Sequence, residues 1–306
     1  MATRHCAECR RILGWDSFSK TQWSKAIGVS RCNSCVHGTP ASKPPPPPKQ
    51  STRTNNAHNA SFSHEALDYP FSSGTFRWVA LGKYTDGARQ GEKCVCKWFK
   101  SGSVYEQEFF ADDIKAVQKA AHIIQEWNSR NFIDKTIMLN IPQVWRFTDG
   151  CSRAGQRALI EPFIEKYQKF NSNSGWADDS IPWSRLLQAL SHFSYHASRG
   201  QLVLCDLQGG IYSNGVSLTD PAVCSVSKSY GVTDLGSAGI SNFFSQHRCN
   251  EFCRSEWTRP ADQTQYLPVQ RGSSMMSSLE HVQTQRSRPA LSMPPPPPTI
   301  CEDGDY

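Results

Sequence analysis

The sequence predicts an α+β fold fronted by a small zinc-binding module, and three observations predict it. Two C-x-x-C pairs fall within the first 36 residues. A body from about residue 69 to 256 opens with alternating, strand-like segments and closes with segments of helical periodicity. A polyproline run, "SKPPPPPKQSTRTNNAHNASFS", separates the two, and its composition cannot bury a core.

Four segments follow from this: a four-cysteine module over residues 1–38, a Pro-rich disordered linker over 39–68, a globular domain over 69–256, and a disordered tail over 257–306 with a second run, "MPPPPP". Within the body, "KCVCKWF" (93–99) alternates as a strand does. Phe110, Ile114, Val117, Ala121 and Ile124 step by four and three, which predicts an amphipathic helix over 106–128. "IPQVWRF" and "RALIEPFI" read as strands flanking a turn. "WSRLLQALSHFSYH" (183–196) carries Leu186, Leu187, Leu190 and Phe193 on one helical face. "QLVLCDL" (201–207) is a short buried strand followed by the Gly-rich "QGGIYSNG", and "GISNFFSQHRCNEFC" returns to helix.

Composition narrows the setting. No apolar run approaches the roughly 18 residues that span a bilayer, and "MATRHCAECRR" lacks the apolar core of a signal peptide. The expected setting is therefore intracellular, cytoplasmic or nuclear, with no membrane partner. Twelve Cys in such a setting favour metal over disulfide. The net charge of +6 is concentrated at the front. Residues 1–60 hold nine basic residues against Glu8 and Asp16, which leaves the remainder, 24 basic against 25 acidic, about neutral. A basic front end permits contact with nucleic acid or acidic protein, and equally describes a solvated linker.

Cys6, Cys9, Cys32 and Cys35 form two C-x-x-C knuckles with 22 residues between them. Each knuckle directs two sulfurs at one ion, and two knuckles complete a tetrahedral zinc site with no open position for chemistry. A segment this small has little core, so zinc would supply much of its folding free energy. "CAECRRILGWDSFSKTQW…RCNSCV" also resembles the LIM-like zinc domain of fungal adaptors that link RNA interference to chromatin. That resemblance implies a protein-interaction module. The Pro-rich runs are spacers that could also dock SH3- or WW-like partners.

The common phosphate-binding signatures are missing. "GKYTDGAR" starts like a P-loop but has Ala-Arg in place of Lys-Ser/Thr. There is no G-x-G-x-x-G opening a helix, no G-x-S-x-G elbow, and no HRD or DFG set. An acidic cluster remains. Asp206 and Gln208 stand two apart at a strand end and so share a face. A carboxylate and an amide oxygen suit Mg²⁺, a hard ion. Asp220 precedes Pro221, in a turn that can aim its carboxylate back at the same place. Lys97 is a lone charge in a half-buried strand and needs a partner or a ligand there; read alone, it is equally a snorkelling surface lysine. Asp113, on the next helix, is the candidate partner. A strand lysine, a helix acid and a distal acidic pair together are how a nucleotide phosphate and its metal are held.

These residues resemble the alpha-kinase family of atypical protein kinases, which includes elongation-factor-2 kinase and the myosin heavy chain kinases. The resemblance covers roughly residues 70–255 and is carried, in family order, by "CVCKWF", "ALIEPFIEKYQKFNSNSGW", "ALSHFSY", "LVLCDLQG", "LTDPAV", "YGVTDLG" and "FFSQHRCNEFC". It implies a two-lobed kinase fold with an ATP cleft between the lobes, and an ATP-dependent serine/threonine kinase acting on a protein substrate. It further implies that Lys97 contacts the ATP phosphates with Asp113 as its partner, that Glu161 lies at the lobe hinge near the adenine, and that Asp206 is the acid-base group. Gln208 and Asp220 would hold Mg²⁺, and Asp234 in "TDLG" would orient the site. The competing expectation is an inactive kinase-fold scaffold or a zinc-module adaptor.

Two stretches depart from the family pattern. "GIYSNGVS" between "DLQG" and "LTDP" is longer than in the animal relatives, and "LGKYTDGARQGE", taken as the glycine-bearing loop of the first lobe, is not a close match. The resemblance also implies a second, structural zinc. Cys249 and Cys253 are four apart, one helical turn, with His247 just ahead. The fourth ligand would come from the helix before the "DLQG" strand, where the motif match selects His192 and His196 is the alternative one turn later.

Overall fold

Along Lys93–Phe99 the side chains alternate as a pleated strand dictates. Cys94, Cys96 and Trp98 enter one hydrophobic core, while Val95 and Lys97 face a cavity on the other side. This computed structural model describes residues 3–26, 28–37, 50–149, 151–269, 276–277 and 299–303. It divides into two compact units, Met1–Lys49 and Gln50–Tyr306.

In the first unit, β1 (Thr3–His5) and β2 (Ile12–Gly14) form an antiparallel hairpin, followed by two single-turn helices, α1 (Lys20–Trp23) and α2 (Asn33–Val36). The "FSKTQ" stretch has a local explanation. The Ser19 hydroxyl caps α1 by accepting from the Gln22 N–H, and Phe18 packs edge-on against Trp23. Among the described residues the buried core is Phe18 with Cys6, Cys32 and Cys35, flanked by the partly buried Cys9, Leu13 and Trp23.

The second unit has two lobes. Its strands and helices begin with β3 (Thr52–Arg53), β4 (Asn59–Ser63), α3 (His64–Asp68), β5 (Ser72–Ser73), β6 (Arg77–Tyr84) and β7 (Lys93–Phe99). They continue with α4 (Ala111–Ser129), β8 (Thr136–Asn140), β9 (Gln143–Phe147), β10 (Arg157–Pro162) and β11 (Gln168–Lys169). The remainder is α5 (Pro182–Ala197), β12 (Leu202–Cys205), β13 (Gln208–Tyr212), β14 (Gly215–Thr219), β15 (Ala222–Ser225), α6 (Gly236–Gln246) and β16 (Thr299–Asp303). The first lobe is a seven-stranded sheet in the order β4-β16-β9-β10-β7-β6-β5, and a further β4–β6 pairing curls it toward closure. The second lobe holds a five-stranded sheet, β11-β13-β14-β8-β3, and a β12–β15 ribbon. Its core takes Val117, Ala120, Ile124 and Trp127 from α4 and Leu187, Leu190 and Phe193 from α5. Among the described residues no helix is long and apolar enough to cross a membrane.

The longer "GIYSNGVS" stretch is a tight hairpin whose register runs from Gln208↔Thr219 to Tyr212↔Gly215. A Cβ on Gly209 would lie 1.9 Å from the Ser217 carbonyl oxygen, and one on Gly215 would lie 1.8 Å from that of Thr136, so only glycine fits between these backbones. Gly209→Ala is expected to destabilise the chain by about 1–3 kcal/mol through overpacking, read as a lowered denaturation midpoint. An unchanged midpoint would show that the hairpin is looser than drawn.

Four sequence expectations are corrected here. Residues 50–68, assigned to the linker, form β3, β4 and α3 and bury Ala57, Ala60, Phe62 and Leu67, because neighbouring strands complete a segment too polar to read as core. The "disordered" tail is structured over 257–269: Trp257 is buried against Trp127, Phe193 and His192. Farther on, β16 pairs in parallel with β4 and β9 and buries Ile300. The last helix ends at Gln246, so Cys249 and Cys253 lie in the irregular segment beyond it rather than on a helical face. The second half is also not mainly helical, since β12–β15 are built from it. Both Pro runs lie outside the described residues.

Candidate active site and metal centres

A cavity of about 740 Å³ opens between the lobes, large enough for a nucleotide. Val79, Val95 and Ile164 give it apolar walls, and the β5–β6 turn over residues 72–76 forms part of its lining. That turn, and not "LGKYTDGARQGE", is the glycine-bearing loop at the site. Residues 85–92 instead form the β6–β7 turn, where Asp86 accepts from the His58 and Asn59 N–H groups beside β4.

Lys97 is 6% exposed and has three acceptors. Its Nζ lies 2.7 Å from Glu161 Oε1, 2.7 Å from Asp220 Oδ2 and 3.2 Å from Thr219 Oγ1. Burial alone would lower its pKa, but Asp220 and Glu161 outweigh that and raise it, so the ammonium stays charged. Thr219 Oγ1 in turn lies 2.7 Å from the Glu161 carboxylate, to which it donates. Burial would also raise the Asp220 carboxyl, yet Lys97 and Arg77 hold it below the ordinary value.

Asp206 lies between β12 and β13 with φ +57°, and Asp220 lies between β14 and β15 with φ +45°. Left-handed backbone is strained for these residues and persists only where surrounding structure enforces it. Both residues line the cavity. Gln208 Nε2 links the two residues, donating to the Asp206 carboxylate oxygen Oδ2 and to the Asp220 backbone carbonyl, each at 3.2 Å. Asp206 is fully buried, and burial pushes its carboxyl from 3.8 up to about 6 despite Lys169, whose Nζ lies 2.7 Å from Oδ1.

The structure therefore brings Lys97, Glu161, Asp206, Gln208 and Asp220 together at one cavity. Three expectations change. Asp113 lines the cavity but pairs with Arg77 at 2.6 Å, not with Lys97, whose ammonium is taken by Glu161 and Asp220. Glu161 stands at the end of β10, next to the cavity, but its carboxylate is spent on Lys97 and Thr219. Asp234 is not among the cavity-lining residues. Its carboxylate accepts from the Ser225, Tyr230 and Gly236 N–H groups and the Ser225 hydroxyl, and so staples the loop before α6. Lys169, Arg77 and Thr219 were missed. A lysine and an arginine at strand ends carry no motif, and only tertiary pairing shows their place.

Two His/Cys clusters have donor atoms within 4.8 Å of one another: Cys6, Cys9, Cys32 and Cys35, and His192, His247, Cys249 and Cys253. Tetrahedral zinc with bonds of 2.3 Å to sulfur and 2.0–2.1 Å to nitrogen requires donor separations of about 3.8 Å for S–S, 3.6 Å for N–S and 3.3 Å for N–N. Cys6–Cys35 and Cys9–Cys32 are both 3.8 Å apart. His192 Nδ1 lies 3.3 Å from His247 Nε2 and 3.7 Å from Cys249 Sγ, and Cys253 Sγ lies 3.6 Å from His247 Nε2. Both donor sets fit zinc. In the first, burial opposes ionisation of Cys6, but backbone N–H groups of Cys32, Cys9 and Glu8 prevail and bring its pKa down to about 6.

In the second, burial pushes His192 to about 4 and His247 to about 3, which keeps both rings neutral as ligands. His192 Nε2 pairs with the Thr258 carbonyl at 3.1 Å, fixing Nδ1 toward the cluster, and Arg259 donates to Cys249 Sγ at 3.3 Å. His196 stays outside and accepts from the Thr258 N–H.

Comparison with known proteins agrees with this architecture. Alpha-protein kinase vwkA of Dictyostelium discoideum is 32% identical over 192 residues, 60% of this chain and 30% of that protein. The chain thus spans under a third of the length of the curated relatives it matches. A solved alpha kinase from Entamoeba histolytica aligns with TM-score 0.54 at 21% identity, covering 68% of this chain and 82% of that one. The alpha-kinase domain of myosin heavy chain kinase A, in complex with ADP, aligns at 0.51 and 23%, covering 60% and 83%. The alpha-kinase family model matches residues 72–253, from the turn at the cavity to the last cysteine of the second cluster. With more than half its length under that match, and with the fold of those kinase domains, the chain belongs to the alpha-kinase family.

Proposed function

We propose that the chain is a serine/threonine protein kinase that transfers the γ-phosphate of ATP to a protein hydroxyl. The observation that carries this is the convergence of Lys97, Asp206, Gln208 and Asp220, from separate elements, on one nucleotide-sized cavity. The ADP complex of the myosin heavy chain kinase A domain supports a nucleotide in that cavity.

Each residue then has a role set by its surroundings. Lys97, held charged and fixed by Glu161, contacts the phosphates as a preorganised cation. The Gln208 amide nitrogen is engaged with Asp206 and the Asp220 backbone, so its oxygen and the Asp220 carboxylate would hold the metal. Mg²⁺ bound there would neutralise charge on the transferring phosphoryl group. Asp206 accepts the proton of the substrate hydroxyl as that oxygen bonds to the γ-phosphorus and the bond to the ADP oxygen breaks. Its pKa of about 6 leaves it mostly ionised at neutral pH yet basic enough for that task. Lys169 orients it. Both His/Cys clusters are read as structural zinc sites. The N-terminal module, by its LIM-like resemblance, is read as a protein-binding element.

ATP titration tests the reading. Lys97→Met should weaken ATP binding about 10- to 100-fold, the loss of one charge-assisted contact. Equal affinity in both proteins would remove Lys97 from the nucleotide site.

A further inference from the structure

The segment Asn171–Ser174, the "NSNS" between β11 and α5, is unusual in burying four polar side chains in a row, each 0–1% exposed. Buried polar groups need partners, and these are informative. Asn171 Oδ1 accepts from the Leu207 N–H at 2.7 Å, directly after Asp206. The Ser174 carbonyl accepts from Asn242 Nδ2 on α6 at 2.7 Å. Asn173 reaches furthest. Its neighbour Asn171, through the Leu207 bond, holds the backbone directly after Asp206. The Asn173 side-chain amide donates to the Thr233 carbonyl at 3.0 Å, in a loop that lines the cavity. The same side chain pairs twice with the backbone of Met276, donating to its carbonyl at 2.8 Å and accepting from its N–H at 3.1 Å.

That last pair is a one-residue strand pairing made by a side chain. It does not stand alone. Asn242 pairs in the same two-sided way with Leu267, at 2.9 Å to the carbonyl and 2.8 Å from the N–H. Ser241 donates to the carbonyls of Asp262 and Thr264. Asp262, Thr264, Leu267 and Met276 are therefore held through their backbones against the second lobe. Met276 packs on the cluster that contains Cys205 and Ala222, the neighbours of Asp206 and of Pro221. Backbone recognition of this kind is indifferent to the side chains of the bound segment, in the manner of added-strand docking.

We infer that Asn173 is a positioning residue through which the tail segment at Met276 holds the Thr233 loop and, by way of the adjoining Asn171 and its bond to the Leu207 amide, Asp206 in their working places. This rests on the kinase reading above. Asn173 touches no reacting atom. It couples the tail to a group that must be held to within a fraction of an ångström.

Full-length variants test it. Met276→Pro deletes the single N–H that Asn173 accepts. It is expected to lower kcat about 10- to 100-fold, the scale set by slight misplacement of a reacting group, with KM for ATP within about twofold because the nucleotide contacts are untouched. Asn173→Ala should lower kcat at least as much, and the double variant should lose no more than Asn173→Ala. In deuterium exchange the Met276 amide should be protected in the wild type and lose protection in Asn173→Ala. Wild-type kcat in Met276→Pro, or losses that multiply in the double variant, would overturn the coupling. A wild-type Met276 amide exchanging at the free-chain rate would overturn the docking. Should Asn173→Ala fail to fold, Met276→Pro still decides, since Met276 is only partly buried and leaves the cluster's buried residues unchanged. A wild-type chain that transfers no phosphate defeats the kinase reading instead, and the exchange measurement then judges the docking by itself.

Discussion

Asp206→Asn is expected to lower phosphoryl transfer by about 10²- to 10⁴-fold, the contribution of a general base, while the chain stays folded. The amide keeps the shape of the carboxylate and can still accept from Gln208, but it cannot take the hydroxyl proton. Stability separates a chemical effect from a structural one. Two terms oppose each other: loss of the Lys169 ion pair, and relief from burying an ionised carboxylate. The pKa, raised from 3.8 to about 6 by burial in spite of Lys169, says that burial is the larger. A carboxyl whose folded pKa is raised binds more protons when folded. Its contribution to stability is therefore most favourable below about 4 and declines as pH rises through 6. The Asn variant lacks that decline, so its stability relative to wild type should improve from pH 4 to pH 7. Denaturation at both pH values checks the sign. A variant that loses activity and also falls behind wild type at pH 7 would mean that Asp206 mainly holds the fold.

His247→Ala is expected to remove one of two zinc equivalents and to unfold the second lobe. Structural zinc binding is worth about 10–16 kcal/mol in small domains, comparable to the whole stability of a typical domain. The ligands come from α5, from the C-cap of α6 and from the irregular segment beyond it. Without the ion, the helix that precedes the Asp206 strand and the segment after α6 lose their shared anchor. Metal analysis with circular dichroism reads this directly. Two zinc equivalents retained, or one lost with an unchanged melt, would contradict the structural role. The four-cysteine module should keep its zinc in this variant, since it is a separate unit with its own complete ligand set.

How much of this was legible in the sequence depends on whether the signal was local. The strand at Lys93–Phe99, α5 with its Leu face and both His/Cys sets could be read, because period and spacing are local properties. The structure places His192 in the second cluster and leaves His196 outside it. What failed was pairing across the fold. Nothing near Asp113 announces that Arg77, 36 positions earlier, takes it in place of Lys97. The strand "NASFS" is too polar to read as core until β6 and β16 flank it. Trp257 read as part of a polar tail because its burial depends on aromatic neighbours contributed by α4 and α5. The left-handed backbone at Asp206 and Asp220 has no sequence signature, since aspartate is common in turns of every kind.

The central claim is that the cavity holding Lys97, Asp206, Gln208 and Asp220 transfers phosphate from ATP to protein. The most direct test is incubation of the purified full chain with γ-labelled ATP, Mg²⁺ and a basic protein substrate, followed by phosphoamino-acid analysis. The account predicts labelled phosphoserine or phosphothreonine that disappears when Mg²⁺ is chelated and is nearly absent with Asp206→Asn. Label incorporated equally by wild type and Asp206→Asn, or no label from a folded, zinc-loaded wild type that binds ATP, would contradict it.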